Sequence, residues 1–186
     1  KFARELRGSS CAREFIANPA HEYYDENNLH GILIGFENDY ELTLRLINEF
    51  HPYVDNWATC DIISPRVFSK YPDDLPEQID VWLDSAHTYT VRFGIDMLIR
   101  FYTGDRLSQS QLERVVGLRA GEYYIDMAAA WYFATAMIAH PQPVLALLES
   151  GRLNEFVRRK AIQKAIESFR ISDELKAQLR SIRDKI

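Results

Sequence analysis

"GEYYIDMAAAWYFATAMIAH", Gly121 to His140, carries the periodicity from which the fold class follows. Tyr124, Ala128, Trp131, Ala134 and Ile138 recur at steps of three and four residues, the period at which α-helical side chains return to one face. Val91, Ile95, Leu98 and Tyr102 repeat the pattern upstream. Gly and Pro are sparse and the alternation that marks strands is nearly absent, so the chain reads as all-α. Helices are expected at 22–36, 40–50, 56–63, 75–85, 87–102, 109–118, 122–139, 143–149, 154–169 and 173–184. Ser108 with Gln111 fits a capping box, Gly151 stands just past a helix end near Glu149, and Ser172 or Asp173 can cap the last helix.

The longer helices line up under one another: "HEYYDENNLHGILI", "NWATCDIIS", "HTYTVRFGIDMLI", "GEYYIDMAAAWYFA" and "NEFVRRKAIQKAI". Each opens on aromatic or amide residues and continues with small or aliphatic ones. Their starts near 22, 56, 87, 122 and 155 are 34, 31, 35 and 33 residues apart, and each interval holds a second, shorter apolar helix. Self-similarity at such a period is the signature of stacked helical pairs. The expected architecture is an α-solenoid of about five HEAT-like repeats forming one domain over residues 1–186. One set of helices in a solenoid lines a concave surface suited to extended partners.

Composition narrows the classes. With 47% hydrophobic and 12% aromatic residues the chain is globular, and no apolar run approaches the roughly 20 residues that cross a bilayer. "KFARELRGSSCAREF" has a basic start without an apolar core behind it and is no secretory signal; the missing initiator Met reads as trimming from a longer protein. Cys11 and Cys60 lie in no zinc or redox pattern, which suits two unlinked thiols and a cytoplasmic location. His21, His30, His51, His87 and His140 show no i,i+4 pairing, so no metal is assigned. Net charge is −5, yet residues 151–186 carry ten Lys and Arg against five Asp and Glu, leaving 12 basic and 22 acidic residues before them. A basic end is attached to an acidic body.

The blocks "HEYYDENNLHGILIG", "YVDNWATCD", "HTYTVRFGIDML", "EYYIDMAAAWYFATA" and "KAIQKAIESFRIS" resemble, in order and spacing, the DNA alkylation repair family, the AlkD-like HEAT-like-repeat DNA glycosylases. The resemblance runs from about His21 to the C-terminus. It implies a monomer that excises cationic N3- or N7-alkylated purines from duplex DNA without metal or cofactor. Trp57 and Asp61, at i and i+4, match the family's catalytic Trp-x-x-x-Asp, with Asp61 as the catalytic carboxylate. By the same resemblance Trp131 is the second aromatic wall and Arg92 a phosphate-holding position. Arg158, Arg159, Lys160 and Lys164 are further candidates for phosphate contact. Active relatives carry an arginine one turn after the second wall, where this chain has Ala134, and the N-terminal helices of the family's DNA clamp are short or absent.

Plainer readings stand beside these. Trp57 and Trp131 suit a core, Asp61 suits a helix cap or an ion pair with Arg66 or Arg92, and the basic run suits a solvated helix face. Three functions follow: the glycosylase, a catalytically silent relative that binds DNA structures, and a solenoid scaffold for a protein segment.

Overall fold

The computed structural model describes residues 1–185, and every regular element among them is helical. Two short helices, α1 (Phe2–Leu6) and α2 (Ser10–Ile16), precede the first expected one. Then come α3 (Tyr24–Ile34), α4 (Tyr40–Phe50), α5 (Trp57–Ile62), α6 (Leu75–Leu83) and α7 (Thr88–Tyr102). The series ends with α8 (Gln109–Val116), α9 (Tyr123–Ala139), α10 (Pro141–Glu149), α11 (Glu155–Glu167) and α12 (Asp173–Arg183). All ten expected helices are present, with ends displaced by at most two residues. The expected boundary chemistry is also in place. Ser108 and Gln111 form a reciprocal capping box, Ser172 accepts from the Leu175 amide, and Gly151 adopts φ 72°, a left-handed conformation that spares the cost of a Cβ. Among the described residues no helix is long and apolar enough to cross a membrane.

The contacts gather into two compact units, one ending at Phe93 and the other beginning at Gly94, so the division falls inside α7. In the first unit α3 packs on α1, α2, α4 and α5. Its core holds Ile34, Ile47, Phe50, Ile63, Phe68, Leu75, Ile79 and Trp82, each almost fully withdrawn from water. Burying one such side chain contributes roughly 1.5–3 kcal/mol before ordering costs are counted. The Trp82 indole N–H reaches Asn48 Oδ1 at 2.7 Å, so its polar atom is satisfied inside that core. In the second unit α9 packs against α10 and α11, and α11 against α12. The alanines of α9 at 128–130, 134 and 136 are buried and let its neighbours approach closely. Within each unit a helix touches the next but one, α3 with α5 and α9 with α11, and packs on the helix between them in sequence, α4 and α10, an arrangement consistent with paired helical repeats.

Gly31 sets the distance between α3 and α5. A Cβ there would stand 2.9 Å from Ile63 Cγ1 and 3.4 Å from Ile62 Cγ2. Alanine gains nearly 1 kcal/mol in helix propensity over glycine, but overpacking a rigid β-branched neighbour costs about 1–3 kcal/mol. Gly31→Ala is therefore expected to lower stability by about 1 kcal/mol, read as a lower urea midpoint with an unchanged slope. A raised midpoint would show that Ile63 yields freely.

Candidate functional site

The short helix α5 is fastened from three directions. Asn56 caps it by accepting the Thr59 amide at 2.8 Å, and the Thr59 hydroxyl donates to Asn28 Oδ1 of α3 at 2.9 Å. The buried Cys60 thiol donates to the Tyr89 carbonyl in the first turn of α7, at 3.3 Å. Cys60 thus ties α5 to α7, a structural use for a thiol whose sequence context suggested none. These ties fix the next residue, Asp61.

Asp61 faces Arg92 of α7. Arg92 Nε donates to Oδ1 at 2.8 Å and an η-nitrogen donates to Oδ2 at 2.6 Å, a parallel, two-point ion pair. The Arg92 side chain is 9% exposed and that of Asp61 is 22% exposed, so the carboxylate keeps an opening to solvent that the guanidinium lacks. Of the two arginines the sequence offered as partners, Arg92 takes the carboxylate and Arg66 lies exposed in the following 3-10 turn. Both of these nitrogens of Arg92 are spent on Asp61. One turn before Asp61, Trp57 stands 53% exposed at the start of α5, unlike Trp82, which is core. The arrangement is an anchored carboxylate at a surface beside an open indole face.

The same unit holds two buried histidines. His30 stacks on Phe50 at 4.1 Å and its Nδ1 meets His21 Nε2 at 2.8 Å. His51 sits edge-on to Trp82 and Phe93, and neither of its ring nitrogens has a hydrogen-bond partner. Burial, assisted by the neighbouring His21 and His87 respectively, holds both rings far below the usual histidine range, at about 3.

The remaining candidates belong to the second unit. Trp131 is half-buried on α9, and Ala134, one turn on, is 6% exposed. The four basic residues of α11 are divided. Arg159 and Lys160 line a groove of about 470 Å³ with Phe156, Gln163, Ile166, Glu167 and Arg183, whereas Arg158 and Lys164 do not. Arg158 Nε is buried without a hydrogen-bond partner. Arg183 completes the groove from α12 and escaped sequence reading, because nothing in its local context separates it from the other basic residues of that helix.

A family model described as "DNA alkylation repair enzyme" matches residues 1–165. The match begins ahead of His21 and ends within α11. It therefore includes Trp57, Asp61, Arg92, Trp131 and all four basic positions of α11, and leaves Arg183 outside. No curated protein and no solved structure gives a match.

Proposed function

The chain belongs to the DNA alkylation repair enzyme family, and from that membership we propose a DNA glycosylase that hydrolyses the N-glycosidic bond of cationic N3- and N7-alkylated purines in duplex DNA. The observation that carries this reading is the Asp61 carboxylate, clamped at two points by Arg92 and still open to solvent beside the exposed Trp57. The proposal takes the helical pairs as a HEAT-like solenoid, with the duplex held by Arg158, Arg159, Lys160 and Lys164 and with Trp131 as the second aromatic wall.

The chemistry asks little beyond such a carboxylate. An alkylated purine is already cationic, so the electron pair of the breaking C1′–N bond neutralises it and no general acid is required. Positive charge then builds on the sugar, where a preorganised anion stabilises it. Water forms the new C1′–O bond and gives its proton to Asp61 on the way to solvent. The indole faces stabilise the cationic nucleotide through cation–π attraction. Arg92 acts here as a positioning residue: with two donors on Asp61, it keeps the carboxylate in one orientation through the reaction.

The test is release of free 3-methyladenine and 7-methylguanine from methylated duplex. Ala134 favours a second reading, a DNA-binding relative without excision, because the phosphate contact expected one turn after Trp131 is replaced by a small buried side chain. Duplex binding with no released base would assign the protein to that reading. Absence of salt-sensitive duplex binding at low ionic strength would defeat both, since neutralised phosphates release counterions and make affinity fall with salt. Reversing Arg158 and Arg159 to Glu together is expected to weaken binding at least tenfold for every duplex sequence alike, because phosphate contacts carry no sequence information. A loss confined to particular sequences in a titration series would count against phosphate contact.

A further inference from the structure

The groove between α11 and α12 is built from one face of α11. Phe156, Arg159, Lys160, Gln163, Ile166 and Glu167 follow one another at helical spacing, while Val157, Ala161, Ile162 and Ala165 turn into the core. Arg183 closes the opposite wall from α12. Its volume, about 470 Å³, falls within the roughly 300–1,000 Å³ of small-ligand sites. The aromatic floor continues outward: the Phe156 ring lies 5.8 Å from that of Tyr123, which is 56% exposed and 5.2 Å from Tyr124.

We infer that this groove binds an unpaired nucleotide of single-stranded DNA, its base stacked on Phe156 and its phosphate held by Arg159, Lys160 and Arg183. Three cations face one carboxylate, Glu167, so the groove complements an anion. The cations are available at little cost. Arg159 is tied to Glu155 at 2.8 Å and Arg183 to Asp184 at 3.3 Å, both on open surface where water screens such pairs and leaves them weak. An acidic peptide would satisfy the charges and leave the Phe156–Tyr123 rings uncovered. A nucleotide supplies a flat apolar face and an anion one sugar apart, and stacking on an aromatic ring is tolerant of base identity. The site lies within the second unit and draws Arg183 from beyond the residues matched to the family.

The experiment compares fluorescein-labelled thymidine octamer with an abasic octamer of the same charge, by anisotropy at low salt. Neither contains a purine, so the outcome is independent of base excision. Wild type is expected to prefer the thymidine octamer at least fivefold, the lower end of what one stacked base contributes. Phe156→Ala should reduce that preference to near unity and Phe156→Trp should retain it. Arg183→Ala should weaken both octamers by similar factors, while Arg170→Ala, which removes the same charge outside the groove, leaves both within twofold. Exposed Arg183 and Arg170 keep the comparison decisive if Phe156→Ala fails to fold. The inference is overturned if Phe156→Ala keeps the base preference, if Arg170→Ala and Arg183→Ala act alike, or if poly-glutamate displaces the thymidine octamer as readily as unlabelled octamer does, which would assign the groove to an acidic protein segment.

Discussion

Asp61→Asn is expected to lower release of 3-methyladenine and 7-methylguanine by about a hundredfold or more, while duplex affinity stays near wild type or tightens. The asymmetry is electrostatic. A carboxylate facing a sugar that becomes oxocarbenium-like interacts far more strongly with the transition state than with the bound substrate, so its charge acts on rate and hardly on binding. Asn keeps the shape and one accepting oxygen but loses the charge, which corresponds to about 3 kcal/mol of barrier for a hundredfold loss. The ion pair adds a condition. Removing the charge of Asp61 breaks its two-point pair with the buried Arg92 guanidinium from one side, which costs up to about 3–5 kcal/mol of stability. Retained duplex affinity and an unchanged far-UV circular dichroism spectrum therefore belong to the same measurement. Affinity can tighten, because a negative charge near phosphates has gone. Equal release by both proteins would remove Asp61 from the mechanism. Trp131→Ala should act differently, costing less rate and more of the discrimination between cationic and neutral bases.

How far such a site can be read from sequence depends on which of its parts are local. The i,i+4 relation of Trp57 and Asp61 is local, as are the Ser108–Gln111 and Ser172 caps, and the structure reproduces that spacing and those caps. The ion pair joins residues 31 positions apart. Sequence offered Arg66 and Arg92 on equal terms, and the choice is made by α7 packing beside α5. The Asn28–Thr59 and Cys60–Tyr89 bonds that hold α5 are tertiary in the same sense. Likewise nothing local distinguishes the exposed Trp57 from the buried Trp82. The missed helices have another cause. With five and seven residues, α1 and α2 are too short to display a period, and their one readable signal was Ser9, whose hydroxyl accepts the Ala12 amide at 3.0 Å. Of the basic run on α11, only position along the helix was legible; the division that puts Arg159 and Lys160 in a groove depends on where α12 lies.

Acid is expected to unfold the unit that carries Asp61 earlier than its carboxylates alone would require. His30 and His51 are held at about 3 in the folded chain, against 6.5 in the unfolded one. Between those values the unfolded chain takes up a proton that the folded chain refuses, so stability rises with pH across this window and falls as pH drops through it. Above 6.5 both states leave the rings neutral and nothing is lost; near 3 the penalty stops growing. Each histidine costs about 1.4 kcal/mol per pH unit, hence about 2 kcal/mol at pH 5 and on the order of 4 kcal/mol for the pair, a large part of the roughly 5–15 kcal/mol that stabilises a domain. His51→Phe separates the contributions. Phenylalanine keeps an aromatic ring between Trp82 and Phe93, removes two buried nitrogens that have no hydrogen-bond partner, and cannot titrate. Its stability at pH 7.5 should match or exceed wild type, and its loss on going to pH 5 should be about half as large. Urea midpoints at the two pH values provide the comparison. His30 is the harder ring to replace, because its Nδ1 is engaged with His21 and its other nitrogen lies buried against the Phe50 stack. If His51→Phe loses as much stability as wild type between pH 7.5 and pH 5, the ring takes its proton in the folded state, and the acid sensitivity of the Asp61 unit must come from His30 and the carboxylates.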